Sequence, residues 1–560
     1  MLNTLMTPEG EALLAENIQP WQVYPRPQMR RDSYVNLNGW WDFAVGKESP
    51  TYDRKILVPF CPESRLSGIG QHFTEKLYYR RRFSLPEGFR RDKVLLHIGA
   101  ADQIAEIYVN QKRVGRHEGG YEAFALDITD ALEEENELVI CCSDDMDDLS
   151  FPYGKQVKPK KRGGMWYTPV SGLWQTVWLE SVPERYIRRL NVENRGYCVT
   201  ISIEPSLEGK VVVPELGAFP LEKGKVTLTP ENPRLWSPED PYLYEFSVET
   251  EEDRVESYFA IRSLEIKAVA GIPRLCLNGK PYFFHGLLDQ GYWPDGLFTP
   301  ASPECYEKDI LAMKALGFNT LRKHIKVEPE QFYYDCDRLG MVVFQDMVNN
   351  GDYSFFRDTA LPTIGLQKLP DRRLHRNKLC RRRFLEGMEA TVNQLKNHPS
   401  ICYWTIFNEG WGQFDSDRVY ERMKALDDTR FIDSTSGWFR RKKSDVDSRH
   451  VYFKPIRLKG DGRPLVLSEF GGYSYKVPGH VFNTEQTYGY GKFEDQKEFA
   501  AAVEKLYLQQ VIPAYKAGLC ASVYTQVSDV EDETNGLLTY DRKECKLSPE
   551  IMLAIAEQLK

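Results

Sequence analysis

The sequence predicts a multidomain chain of β and α/β architecture: a β-sandwich over residues 1–182, a smaller Ig-like β-sandwich over 183–265 and a (β/α)8 TIM barrel over 266–560. Three observations predict it. A chain of 560 residues is longer than one core can serve. Its first part carries short strand-like runs separated by Gly, Pro and Asn turns, whereas the remainder alternates apolar strands with helices. Two apolar runs in that second part each stop abruptly at a glutamate.

In the first unit, residues 77–83, 94–98, 106–110 and 138–142 read as strands at sandwich spacing, 110–114 as a hairpin with a polar tip, and 166–180 as a closing strand. In the second, residues 198–203, 210–213 and 244–248 are strand-like, and a Pro-rich turn runs from Pro230 to Pro241. From residue 266 the pattern changes. Ser302-Pro303-Glu304 opens a helix that Gly317 stops; 319–324 is a strand; 328–339 is a helix closed by Gly340; 341–346 is the next strand. The eight barrel strands are placed near Tyr282, Thr320, Val342, Trp404, Ile432, His450, Val466 and Val523.

Composition narrows the function. Hydrophobic content of 42% and charged content of 28% are those of a globular protein, and a net charge of -8 argues against nucleic acid as a partner. The basic cluster from Arg372 to Arg383 reads as a solvated face. No apolar run approaches a membrane span, so no membrane partner is expected. The start of the chain shows no signal-peptide pattern, and the 11 cysteines are scattered without a CxxC pair; free thiols in a reducing cytoplasm are the expectation. No phosphate-binding glycine loop and no zinc spacing of histidines is present, so neither cofactor nor metal is expected. A homodimer is an expected assembly, because large edge sandwiches often pair.

The chemistry lies in the two interrupted runs. Residues 401–407 end in Asn408-Glu409-Gly410-Trp411-Gly412, and 464–467 end in Ser468-Glu469-Phe470-Gly471-Gly472. Each reads as a buried parallel strand that delivers one carboxylate at its C-terminal end, where a barrel keeps its chemistry. One such glutamate alone would be a helix N-terminal charge. Two, each followed by glycine and set among Trp and Tyr, fit cleavage of a glycosidic bond, which needs unlike carboxyls about 5–5.5 Å apart when configuration is retained. Glu409, beside Trp404, Phe407 and Trp411, is the expected proton donor, since apolar neighbours raise a carboxyl pKa. Glu469 is the expected nucleophile, and Asn408 is placed to bond the sugar 2-OH.

Further motifs stand in order. Tyr24-Pro25-Arg26-Pro27-Gln28 and Asn36-Leu37-Asn38-Gly39-Trp40-Trp41-Asp42-Phe43 resemble an opening sandwich strand of glycoside hydrolase family 2, and Ser171-Gly172-Leu173-Trp174-Gln175-Thr176-Val177-Trp178 resembles its closing strand. Trp404 to Gly412 is similar to the acid/base signature of that family, and Leu467 to Gly472 to its nucleophile signature. The resemblance implies a jelly-roll, sugar-binding-like N-terminal sandwich, an Ig-like sandwich and a barrel, a carbohydrate substrate, retained configuration and no cofactor. It assigns Glu409 as acid/base and Glu469 as nucleophile. It also implies a site histidine at His324, although the Arg/Ser-His-Tyr-Pro setting of the family is absent. Some members bind Mg²⁺ or Na⁺ near the acid/base; the ligand cluster this requires is not evident here.

Other strand ends supply candidates for substrate binding. His450 and Tyr452 end the sixth strand; Asp346 ends the third, as a positioning group or a helix cap. Asp289, Tyr292 and Trp293 lie in a Gly-rich aromatic loop after the first strand. Trp438, Tyr473 and Gln526 are further candidates, with packing an equal reading for each. A glucuronidase must neutralise the substrate carboxylate, and the relevant family members carry Asn-x-Lys after the eighth strand. The matching Glu533-Thr534-Asn535-Gly536-Leu537 supplies the Asn but puts Leu in place of Lys. The expectation is therefore a retaining exo-β-glycosidase with a β-galactoside leading. A β-glucuronide, with Lys323 or Lys326 as the cation, is the alternative, beside a mannoside or arabinoside. From other classes stand a non-catalytic carbohydrate-binding protein and a metal-assisted barrel enzyme, the latter lacking a visible ligand set.

Overall fold

Alternating burial along short strands builds the first sandwich, as in Ile104–Val109, where every second side chain is buried. The structure is a computed structural model; it describes residues 2–560 except 17, 47, 49, 350, 352, 362, 363, 365, 367–370 and 453. A six-stranded antiparallel sheet runs in the order Arg54–Val58, Gly39–Gly46, Lys76–Phe83, Asn136–Ser143, Ile104–Val109, Lys112–Glu118. It shares one core with a four-stranded sheet of Val35–Asn36, Val177–Val182, Lys93–Ile98 and Phe124–Asp127: Trp41, Phe43, Tyr79 and Ile107 pack with Leu96, Ile98 and Leu179. Asn110 and Gln111, at φ 50° and 66°, make the two-residue turn of the expected hairpin.

The expected closing strand is shorter than residues 166–180. Gly172–Leu173 and Val177–Val182 form ladders, while Trp166 and Tyr167 make isolated bridges to Gly163 and Gln156. Pro152, Pro159, Pro169, Gly154, Gly163 and Gly164 interrupt any ladder, and residues 144–170 leave the sandwich to lie on the barrel. The Gly154 N–H bonds Asn349 O at 3.0 Å, the Thr168 N–H bonds Glu531 Oε1 at 2.9 Å, and Arg162 pairs with Glu531 at 3.1 Å.

A second sandwich pairs a three-stranded sheet (Arg189–Arg195, Cys198–Glu204, Lys225–Leu228) with a four-stranded one (Gly217–Leu221, Gly209–Val213, Tyr244–Thr250, Arg254–Phe259) over its own core of Val199, Ile201, Val211, Val248 and Phe259. Arg31 locks it to the first: its guanidinium donates to Glu180 Oε1 at 2.9 Å and to both oxygens of Asp253 at 2.9 and 2.7 Å.

The eight barrel strands are β1 (Phe284–Asp289), β2 (Thr320–Lys323), β3 (Val342–Asp346), β4 (Ile401–Asn408), β5 (Phe431–Ser436), β6 (Asp447–Val451), β7 (Leu465–Gly471) and β8 (Leu519–Thr525). The first begins two residues beyond Tyr282, which still belongs to the preceding hairpin through its N–H on Leu275 O. The order is β5-β4-β3-β2-β1-β8-β7-β6, all pairs parallel. Strands β3, β4, β5 and β8 are buried at every residue, which is why they read as continuous runs. Between β5 and β6 the ladder is missing, and side chains close the seam: Ser436 Oγ lies 3.3 Å from Ser448 Oγ and 2.9 Å from Ser468 Oγ. The helix after β2 spans Glu330–Leu339, two residues later than expected, because Pro329 is extended; Gly340, at φ 72°, ends it. Among the described residues no helix is long and apolar enough to cross a membrane.

Candidate active site

Strand β4 ends at Asn408, and the chain turns at once. Glu409 sits at φ 50° and Gly410 at φ 77°, with the Glu409 N–H on Ser436 O and the Trp411 N–H on Asn408 O. A left-handed glutamate costs roughly 1–3 kcal/mol and is held only where its surroundings over-determine it. Glu469 stands in β7 opposite β6, at a register break between Arg449 and His450. The bulge turns His450 towards both carboxylates: its Nδ1 lies 2.8 Å from Glu409 Oε1 and 3.5 Å from Glu469 Oε2. Donor atoms of Glu409, His450 and Glu469 all lie within 4.8 Å of one another. Both glutamates are nearly buried, at 8% and 5% exposed.

Glu469 is gripped on both oxygens. Oε1 accepts from Arg322 Nη1 at 3.0 Å and Oε2 from the Tyr452 hydroxyl at 2.6 Å. Arg322 also forks onto Asp346 at 3.0 and 2.9 Å and reaches Asn408 Oδ1 at 2.8 Å. Burial works against the Arg322 charge, but Asp346 and Glu469 outweigh it and hold the guanidinium protonated. Burial raises the Asp346 carboxyl despite Arg322. His450 Nε2 faces the Ser436 hydroxyl at 3.0 Å and Arg322 Nη1 at 3.5 Å, so both ring nitrogens are engaged.

Above the pair, several buried polar atoms have no protein partner: Asn408 Nδ2, His324 Nε2 and Trp411 Nε1. His324 follows β2, bonds Gln290 Oε1 through Nδ1 at 2.9 Å, and keeps Nε2 3.7 Å from Glu469; burial pushes its pKa well down, so the ring is neutral. Gln290 leads on to Gln526 at 2.7 Å, and the Gln526 amide donates to Glu533 at 3.1 Å and Asn535 at 2.8 Å. Aromatic rings flank the pair. Trp411 lies 5.4 Å from Trp166 and 5.9 Å from Tyr353, and Tyr452 stacks on Tyr490 at 4.2 Å.

The structure thus brings together Glu409, Glu469, Asn408, His324, Asp346, Trp411, His450, Tyr452 and, two hydrogen bonds further out through Gln290, Gln526. Asp289 stands apart: its carboxylate is held by Lys323 Nζ at 2.6 Å and the Gly291 N–H. Trp293 packs on Tyr306 and under the Arg542 guanidinium, and Tyr292 on Tyr167 and Phe298. Tyr473 packs on Phe493, and Trp438 is half-buried just past β5 with its N–H on Ser436 O. Neither lysine offered by the sequence as a substrate cation is available. Lys323 is bound by Asp289 and Glu328; Lys326 is bound by Glu328 and the carbonyls of Gly291 and Phe298.

Sequence reasoning passed over Arg322, Gln290, Glu533, Tyr490, Trp166 and Lys155. Arg322 had a signal, an arginine inside an apolar strand. Trp166 and Lys155 had none, because they arrive from the first sandwich. Among the described residues, Glu409, His450 and Glu469 are also the set spaced to hold a cation. Arg322 and Tyr452 already occupy both oxygens of Glu469, and a fixed guanidinium 3.0 Å away opposes a second positive charge, so the donors fit hydrogen bonding better than a metal.

Three family models match the chain: "Glycosyl hydrolases family 2, TIM barrel domain" over residues 271–544, "Glycosyl hydrolase 2 galactose-binding domain-like" over 59–151 and "Glycosyl hydrolases family 2" over 191–262. A β-glucuronidase of Chlorocebus aethiops is 25% identical over 74% of this chain and 70% of its own length. A β-galactosidase of Thermoanaerobacter pseudethanolicus is 25% identical over 71% of this chain but 54% of its own length, so the chain spans about half of that relative. A solved β-glucuronidase from an uncultured Clostridium sp. superposes with a TM-score of 0.74 at 17% identity, covering 97% of this chain and 100% of that one. With matches to all three domain models in chain order on the same architecture, the chain belongs to glycoside hydrolase family 2.

Proposed function

We propose that the protein is a retaining exo-β-glycosidase, with Glu409 as acid/base and Glu469 as nucleophile, acting on a terminal β-linked uronide, a β-glucuronide foremost. The observation that carries the chemistry is the convergence of the two carboxylates, with oxygens within 4.8 Å. Retaining enzymes need about 5–5.5 Å, and inverting ones leave roughly 6.5–9.5 Å for a water. Glu469 attacks the anomeric carbon while Glu409 gives its proton to the glycosidic oxygen; the C–O bond breaks and the alcohol leaves. Glu409, now a carboxylate, takes a proton from water, whose oxygen attacks the same carbon; the ester to Glu469 breaks and the β-sugar is released. Arg322 and Tyr452 aim the nucleophile, and His450 orients Glu409 through Oε1. The free amide of Asn408 is the donor for the 2-OH.

The uronide rests on the relatives: a β-glucuronidase matches over more of its length than the β-galactosidase does. A β-galactoside is the second reading, favoured by Leu537, which is fully buried in the barrel core and leaves no lysine at that place. Glu469→Gln should lower turnover of every aryl β-glycoside by several orders of magnitude without unfolding the chain, and a 2-fluoro glycosyl inhibitor should label Glu469. Near-normal rates in the variant, or label on another residue, would overturn the assignment. A panel of aryl β-glycosides with one leaving group decides the sugar.

A further inference from the structure

Buried cations around the barrel mouth are paired. Arg322 holds Asp346 and Glu469, Lys323 holds Asp289, Lys326 holds Glu328, Arg162 holds Glu531 and Lys546 holds Asp529. Lys155 is different. It rides on the 144–170 excursion of the first sandwich, is 6% exposed, and has no hydrogen bond or ion pair through its ammonium among the described residues. Its Nζ lies over three rings instead: Trp411 at 5.4 Å, Tyr167 at 5.5 Å and Trp166 at 5.9 Å. A nearly buried lysine without a counter-ion is uncommon, and cation–π contact is a weaker partner for its ammonium than a carboxylate.

The position borders the carboxylate pair through Trp411 and His324. Trp411 carries one of the unpartnered polar atoms and lies 6.4 Å from His324, whose Nε2 approaches Glu469. The Lys155 charge is felt by His324 and by Glu533. Glu533 is the acidic group facing it, but it lies beyond ion-pair distance and is bonded to the Tyr167 hydroxyl and the Gln526 amide. Burial raises the Glu533 carboxyl, and Lys155 acts against that rise. Lys323 and Lys326 are committed elsewhere and residue 537 is leucine, which leaves the substrate carboxylate needing another cation.

We propose that Lys155, delivered across the domain boundary by the first sandwich, is the cation that pairs with the carboxylate of the uronide. This rests on the uronide reading above. A carboxylate at Nζ completes a cage of one ammonium and three rings, and the same site presents a neutral hydroxymethyl group with an unneeded charge.

The test is selectivity. Lys155→Met keeps the apolar stem against the rings and removes the charge. The readout is kcat/KM for an aryl β-glucuronide and an aryl β-galacturonide, each divided by that for the neutral aryl β-glucoside or β-galactoside with the same leaving group. A charge-assisted pair sets the scale: the ratio should fall on the order of 30-fold, mostly through KM, and Lys155→Arg should restore part of it. If Lys155 merely props the Trp166 loop, both substrate classes lose together and the ratio holds, which overturns the assignment while leaving the uronide reading intact. A parent enzyme that prefers neutral glycosides overturns the uronide reading, and the assignment with it. If circular dichroism shows Lys155→Met unfolded, Lys155→Gln is read by the same ratio.

Discussion

Replacing Arg322 by methionine tests whether one side chain both stabilises the barrel and aims the nucleophile. Arg322 is 1% exposed and donates five hydrogen bonds: two to Asp346, one each to Glu469 and Asn408, and one to Ser468 O at 3.0 Å. Methionine fills much of the volume but leaves two nearly buried carboxylates without their cation. Breaking a buried pair in this way costs about 3–5 kcal/mol. At about 2–4 °C per kcal/mol for a large domain, the melting temperature should fall by ~6–20 °C. Losing a preorganised donor at the nucleophile should also cost on the order of 10²–10³ in kcat.

The deficit should depend on pH with a definite sign. Asp346 already sits above its ordinary value through burial, and without Arg322 it rises further. A carboxyl that holds its proton more tightly folded than unfolded binds more protons in the native state, so stability falls as pH rises above the unfolded value of about 3.9. The variant should therefore be closest to the parent near pH 5 and furthest from it near pH 8. Thermal melts followed by circular dichroism at those two pH values, with initial rates on an aryl glycoside, measure both effects. Arg322→Lys separates them: it restores charge but cannot span Asp346, Glu469 and Asn408 with one planar fork, so stability should recover more than activity. A melting temperature within ~2 °C of the parent at pH 8, or a kcat within a few-fold, refutes the reasoning.

Tyr452→Phe removes one donor from Glu469 Oε2 and leaves the ring stack on Tyr490; kcat should drop on the order of 10–100-fold with little change in melting temperature, measured by steady-state kinetics and a melt. Gly410→Ala puts a methyl group into the Phe439 ring at a φ of 77°, so the turn that carries Glu409 must shift; activity should fall by at least about tenfold while the sandwiches melt as before. Arg31→Met should cost about 3–5 kcal/mol by leaving Asp253 buried without its cation and taking one of three salt-bridge partners from Glu180, read as a lower midpoint in urea. Burial opposes ionisation of Glu180, but Arg26, His97 and Arg31 outweigh it and hold its carboxyl well below the usual range. Its contribution is thus present above the unfolded value of about 4.3 and lost as pH falls below it, so the difference between parent and Arg31→Met should narrow in acid.

How much of this was legible in the sequence depends on how local the signal is. The barrel strands announced themselves because a strand buried on both faces is an uninterrupted apolar run, and the two glutamates announced themselves by ending such runs. Tyr282 was taken into the barrel because the hairpin before β1 is apolar too; only its ladder partner, Leu275, places it outside. Lys323 and Lys326 looked available because a charge near a strand end does not reveal its partners, which come from Asp289 and Glu328. Trp293 and Tyr473 looked like lining because an aromatic residue beside a glycine has the same appearance whether it faces a substrate or another ring. Lys155 and Trp166 were invisible for a topological reason: no local pattern says that a proline- and glycine-broken excursion of a sandwich will cross to the mouth of a barrel that begins over 100 residues later.

That crossing changes how the site should be understood. The barrel supplies the reacting carboxylates and their positioning groups, all satisfied by one another through Arg322, Tyr452 and His450. The buried atoms left without partners, Asn408 Nδ2, His324 Nε2 and Trp411 Nε1, belong to the barrel, and the Lys155 ammonium of the first sandwich lies over the Trp411 ring. An unpartnered buried donor costs roughly 1–3 kcal/mol. Such groups persist in a cavity only where something else meets them, and a sugar ring with several hydroxyls and one carboxylate has the matching inventory. On the proposed reading the barrel strand ends fix what bond is broken and supply Asn408, His324 and Trp411 to the sugar, and the excursion from the sandwich adds the one cation, Lys155, that would discriminate a uronide from a neutral glycoside.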